Sequence, residues 1–115
     1  MFKKLRTVIY HVKDLAAAKA WYKNITGVDP YFDEPFYVGF DIGGFELGLD
    51  PDFTDVKKGN QSVAYWTVVD IRSTLKKIEE QGASVIQRLR EVGGGIWVVV
   101  LEDPFGNAFG LIEET

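Results

Sequence analysis

Two side chains of the kind acid–base chemistry uses lie inside apolar runs: His11, the only histidine, and Glu46, flanked by Phe45 and Leu47. An imidazole titrates near neutrality, so His11 is a candidate general base or ligand contact. It reads equally as a strand-end histidine bonded to backbone or water. Glu46 is a candidate to hold a cation, or to act as a base whose pKa burial has raised. The bland alternative is a solvated rim carboxylate. The two would make an acid–base pair, with Glu113 a further carboxylate for an enzymatic site. Aromatic residues supply the second kind of chemistry. Phe32, Phe36, Tyr37, Tyr65, Trp66 and Trp97 could stack on a planar ligand or hold a cation over a ring face, although core packing is the commoner fate. The ligand-binding candidates are therefore His11, Glu46, Tyr37, Trp66 and Trp97. With no cysteine in the chain, thiolate nucleophiles, disulfides and sulfur-ligated metals are excluded.

These residues need strands and helices to position them. A first strand is expected over residues 6–12, with Thr7, Ile9 and His11 on one face and Val8, Tyr10 and Val12 on the other. Asp14 caps a helix whose apolar stripe is Leu15, Ala18, Tyr22 and Ile25, and Gly27 stops it. Extended segments are expected over 28–32, 36–42 and 45–49, with turns at Asp33-Glu34-Pro35 and Gly43-Gly44. Residues 51–61 read as a polar linker that separates a module at 1–50 from one at 62–115. In the second module a strand over 63–68 precedes Asp70, which caps a helix with Ile71, Leu75 and Ile78 on one face, ending at Gly82. Strands over 84–89, 96–102 and 108–113 follow. Gly93-Gly94-Gly95 opens no helix, so it reads as a hairpin or entrance loop rather than a phosphate cradle. Lys57-Lys58 and Lys76-Lys77 read as solvated surface charge.

The second half repeats the first. Val12-Lys13-Asp14-Leu15 matches Val68-Val69-Asp70-Ile71. The run 41–49 matches 103–111 without a gap, aligning an Asp, two glycines and the final leucine. A repeat of this length signals architecture. Two βαβββ units, an α+β fold, would each bury one sheet face under a helix, and the other faces would curve into a cavity.

These motifs resemble the glyoxalase / bleomycin-resistance (vicinal oxygen chelate) superfamily along nearly the whole chain. The resemblance rests on Val12-Lys13-Asp14-Leu15 followed by Trp21-Tyr22-Lys23-Asn24-Ile25-Thr26-Gly27, on the second helix from Leu75 to Ala83, and on Asp103-Pro104-Phe105-Gly106-Asn107, similar to the family's DPxGN hairpin. The family implies a divalent metal that binds two neighbouring substrate oxygens and stabilises oxyanions. Its ligand positions would fall at Thr7 and Val63 in the first strands, at Gly110 near the end, and at Gly48 or Glu46 in the first module. At most one of the four holds a ligand, where a catalytic centre needs about three. No metal and no other cofactor is therefore expected, and the resemblance is closer to members that bind small molecules without metal. A metal-dependent lyase, isomerase or dioxygenase with an altered site is the alternative.

The rest of the sequence narrows the partners. With 46% apolar and 26% charged residues in 115, the chain is an ordinary globular domain rather than a disordered one. A net charge of −4 speaks against nucleic acid, whose phosphates need a basic face. The apolar run near the N-terminus is too short for a membrane span, and a cytoplasmic location is the default expectation. Exposed sheet edges, modest size and the family resemblance imply a homodimer whose cavities draw on both subunits.

Overall fold

A computed structural model describes residues 1–56 and 62–114. Its contacts divide the chain into two units, Met1–Lys58 and Gly59–Thr115. The second part of the linker expected over 51–61, with the Lys57-Lys58 pair, lies outside the described residues.

The first unit runs β1 (Thr7–His11), α1 (Leu15–Thr26), β2 (Phe32–Glu34), β3 (Tyr37–Ile42) and β4 (Phe45–Asp50). The second runs β5 (Ala64–Thr67), α2 (Ile71–Glu80), β6 (Ser84–Glu91), β7 (Trp97–Glu102) and β8 (Ala108–Glu113). The sheets have equivalent orders, β1-β4-β3-β2 and β5-β8-β7-β6. In each, the first strand pairs parallel with the last, and the remaining pairs are antiparallel. The α+β fold of two βαβββ modules is thus present.

Local chemistry sets the helix ends. The Asp14 carboxylate accepts from the Ala17 amide at 3.0 Å, and the Asp70 carboxylate from the Ser73 amide at 3.2 Å, so each helix has one of its orphan donors satisfied. Gly27 takes the left-handed conformation at φ 71° and returns its amide to the Lys23 carbonyl at 2.9 Å.

The core of the first unit lies on one sheet face under α1. Tyr10 and Val12, Val38 and Phe40, and Leu47 and Leu49 are buried there with Ala18 and Tyr22 of the helix. The register Tyr10↔Leu49↔Val38 and the neighbouring Leu47↔Phe40 put these strand residues on one face. Each large side chain so buried contributes about 1.5–3 kcal/mol. In the second unit Ile71 and Ile78 of α2 are buried, as are Val99, Leu101, Phe109 and Leu111 of β7 and β8. The Asp103–Asn107 hairpin closes on its first residue: one Asp103 carboxylate oxygen accepts from the amides of Phe105 at 2.9 Å and Asn107 at 2.8 Å.

One strand lies elsewhere than expected. Residues 28–31 are not a strand; the second strand is Phe32–Glu34 and turns through Pro35-Phe36. The end of α1 absorbs the earlier segment. The Val28 amide reaches the Thr26 hydroxyl at 3.3 Å, Asp29 pairs with Lys23 at 2.8 Å, and Pro30 has no amide to give a ladder. The other strands agree with expectation to within two residues at each end. Among the described residues no helix is long and apolar enough to cross a membrane.

Candidate functional site

The face of the first sheet opposite α1 is where the expected chemistry gathers. Thr7 stands beside Glu46, Ile9 beside Gly48 and His11 beside Asp50; across the next pairing, Gly48 faces Gly39 and Glu46 faces Asp41. With alternating parity, Glu46, Gly48, Gly39 and Tyr37 all belong to this open face. The glycines leave bare backbone there, and two phenol rings lie on it. A Cβ built on Gly48 would stand 1.9 Å from the Tyr37 hydroxyl oxygen, and one on Gly39 would stand 3.3 Å from Cε1 of Tyr31.

Both phenols converge on Glu46. The Tyr31 hydroxyl donates to Oε1 at 2.6 Å, the Tyr37 hydroxyl donates to Oε2, and Arg6 Nη1 donates to Oε1 at 3.2 Å. Arg6 also donates to the Thr7 hydroxyl at 2.8 Å, and its carbonyl accepts the Glu46 amide at 2.8 Å. The Glu46 side chain is only 9% exposed, while that of Arg6 is 69% exposed. A small hollow of about 110 Å³ beside the carboxylate is lined by Lys4, Arg6, Tyr31, Asp41, Phe45 and Glu46.

Burial would raise the Glu46 pKa, but the two phenol hydrogen bonds and the Arg6 charge outweigh it and lower it. The expectation of a base with a raised pKa is thereby corrected: this carboxyl stays ionised and spends its lone pairs on three donors. The complementary effect falls on the phenols. Burial, then the hydrogen bond to Glu46 and its charge, lift Tyr37 far above the ordinary phenol range. The bond to Glu46 is the main cause of a rise at Tyr31. Both hydroxyls therefore remain donors at neutral pH.

The other expected site residues are not brought to this cluster. His11 stands four residues along β1 from Thr7, about 13 Å at strand rise, so it is not paired with Glu46. Its Nδ1 donates to the Asp52 carbonyl at 2.9 Å, and its ring lies 5.7 Å from that of Phe53. In the second unit Tyr65 shares the Gly110 face: a Cβ on Gly110 would stand 2.4 Å from Cδ1 of Tyr65. Trp66 lies on the other face, beside buried Leu111. Trp97 is on that helix-covered face too, with the Arg72 guanidinium of α2 4.8 Å above its ring. Glu113 accepts the Ile71 amide at 2.8 Å and so serves the start of α2. Sequence reasoning missed Arg6 and Tyr31. Isolated glycines inside strands at Gly39 and Gly48 were the available signal, because such glycines mark close approach of another group.

The model of the Glyoxalase/Bleomycin resistance protein/Dioxygenase superfamily matches residues 4–111. The chain belongs to this superfamily. Solved structures agree on the fold. A glyoxalase/bleomycin resistance protein/dioxygenase family enzyme from Burkholderia phytofirmans PsJN is 19% identical with TM-score 0.83, covering 98% of this chain and 100% of its own. A genomically encoded fosfomycin resistance protein from Listeria monocytogenes is 18% identical with TM-score 0.80, covering 100% and 96%. A lactoylglutathione lyase from Agrobacterium tumefaciens is 18% identical with TM-score 0.72, covering 96% and 92%. No curated protein matches the sequence.

The residues at the superfamily's metal positions do not fit a metal. Val63 and Gly110 offer no side-chain donor, and Thr7 a hydroxyl already bonded to Arg6. The Gly48 and Gly110 positions are overlain by the rings of Tyr37 and Tyr65. Glu46 alone is a carboxylate, and both its oxygens accept from phenols.

Proposed function

We propose that this member of the glyoxalase superfamily binds a small organic molecule, without metal, on the open face of its first sheet. The observation that carries this reading is the Glu46 carboxylate, buried in a sheet face floored by Gly39 and Gly48 and held by Tyr31, Tyr37 and Arg6. Side chains that fix one ionised group against two rings form a preorganised polar spot beside aromatic surface, the combination small-ligand sites use. An enzymatic reading built on His11 and Glu46 loses support from their separation along β1. The proposal extends to a cytoplasmic homodimer. The dimer is supported by the β6 edge, where Val85 and Ile86 are exposed.

Two measurements test it. Elemental analysis of protein purified without chelator should find no stoichiometric metal; about one equivalent of Ni, Zn, Mn or Fe overturns the metal-free reading. A thermal-shift screen across antibiotics, aromatic acids and thiol conjugates should give at least one concentration-dependent rise in Tm. That rise should shrink in Tyr31→Ala and Glu46→Gln. A screen without any shift argues against ligand binding at this face.

A further inference from the structure

The Glu46 cluster has an unusual division of exposure. The anion is nearly enclosed, while the cation that neutralises it lies mostly in solvent. Arg6 stands before β1, outside any strand or helix; its carbonyl accepts the Glu46 amide, and besides Glu46 its guanidinium holds only the hydroxyl of the adjacent Thr7. Water and salt compete for the exposed guanidinium, which weakens its hold on the carboxylate. The guanidinium is therefore the cheapest of the three donors to move, and removing it leaves the two phenols holding an ionised carboxylate.

The surroundings suit another cation in its place. Tyr31 is 59% exposed, so part of its ring is open to a ligand. A phenol donating its proton to a carboxylate is polarised, which makes its ring richer in electrons and a better partner for a cation over its face. Phe32 extends the aromatic surface, with its centroid 6.1 Å from Tyr37 and 5.9 Å from Phe36. Asp41 pairs across the strands with Glu46 and lines the same hollow, opposing the charge of Lys4. At about 110 Å³ the hollow has room for a head group rather than a whole drug-sized molecule. The chain's net charge of −4 favours the approach of a cation.

We propose that the ligand of this site is an organic cation with an ammonium, amidinium or guanidinium head group, which pairs with Glu46 where Arg6 now does and lies against the Tyr31 and Tyr37 rings. The inference rests on the small-molecule reading above and adds the charge class of the ligand and a competitor built into the chain. Arg6 then acts as a resident occupant that sets how tightly a cation must bind to enter.

Benzamidinium, benzamide and benzoate share one shape and carry charges of plus one, zero and minus one, so they separate charge from size. Each is titrated into ¹⁵N-labelled protein while the amide shifts of Gly39, Glu46 and Gly48 are followed. The expected result is saturable shifts at these amides with benzamidinium, weakening as salt is added, and at least ten-fold weaker binding of the other two. Glu46→Gln should lose about ten-fold or more in benzamidinium affinity. Arg6→Ala should gain about three-fold, the size of a weak exposed pair removed as competitor. Arg72→Ala, in the second unit, serves as a control and should change nothing. Well-dispersed spectra certify that each variant is folded, and Tyr31→Phe, which keeps the ring but not its donor, supplies a milder second perturbation. Benzamide or benzoate binding at these amides as well as benzamidinium overturns the cation inference and leaves small-molecule binding standing. Benzamidinium affinity unchanged in Glu46→Gln overturns it as well. Silence from all three probes overturns it too, and silence in the thermal-shift screen besides removes the broader reading.

Discussion

The Tyr37 hydroxyl occupies the space that any side chain at position 48 would need, 1.9 Å from where a Cβ on Gly48 would stand. Gly48→Ala must therefore swing Tyr37 off the sheet and break its bond to Glu46. The expected loss is about 1–3 kcal/mol in urea unfolding, from overpacking and a lost charge-assisted hydrogen bond. In a Tyr37→Ala background the same substitution should cost much less. Simple additivity of the two changes would contradict the contact.

Phenol ionisation reports on the same cluster. Tyr31 and Tyr37 are raised above 10.0, Tyr37 chiefly by burial and Tyr31 chiefly by its bond to Glu46. Absorbance at the phenolate band should show late-ionising components. In Glu46→Gln the components from Tyr31 and Tyr37 should move to lower pH, and Tyr37→Phe should delete one of them. The stability linked to Tyr37 is present below the unfolded phenol value and lost as pH rises through its higher folded value.

Acid stability carries the opposite sign. The Glu46 carboxyl is lowered below 4.5 in the folded state, so the unfolded chain binds its proton first as pH falls. Its contribution is complete above that value and disappears as pH drops through the folded one. The stability gap between the native chain and Glu46→Gln should be constant near neutrality and close below about pH 4.5. A gap independent of pH in acid would show that the carboxylate's charge is not what matters.

Asp103 is 3% exposed and holds two amides of its turn on one oxygen. Asp103→Ala leaves the Phe105 and Asn107 amides without that acceptor and should cost about 2–3 kcal/mol in chemical denaturation. A cost near zero would mean that water replaces the carboxylate fully.

The proposed homodimer is checked by sedimentation equilibrium at low micromolar concentration. The expected species has twice the 12.9 kDa of one chain. A single species of one chain's mass that still binds ligand would rule the dimer out.

What the sequence disclosed follows from the range of the interactions involved. Asp14 and Asp70 were legible as caps because a cap is decided within four residues, and the repeat of 41–49 at 103–111 made the strand order recognisable as two copies. The second strand was misplaced because two short-range contacts at the end of α1, at Val28 and Asp29, and the missing amide of Pro30 outcompeted extended pairing. Glu46 could be named from its apolar flanks, but its partners come from Arg6, 40 residues earlier, and Tyr31, 15 residues earlier. Only strand register brings these together. Trp66 and Trp97 looked as suitable for a ligand as Tyr37; one step of parity along β5, and the position of α2 over β7, assign them to the covered face.

The duplicated topology has a further consequence. In the alignment of 41–49 with 103–111, Gly48 corresponds to Gly110 but Glu46 corresponds to Ala108. Both copies retain the bare strand backbone overlain by a tyrosine, and one alone retains the charge. The halves thus divide their labour: foldability constrains both, whereas electrostatics constrains a single copy. If Glu46 is the binding group proposed above, the second copy offers no equivalent carboxylate, and one cation per chain is the expected stoichiometry.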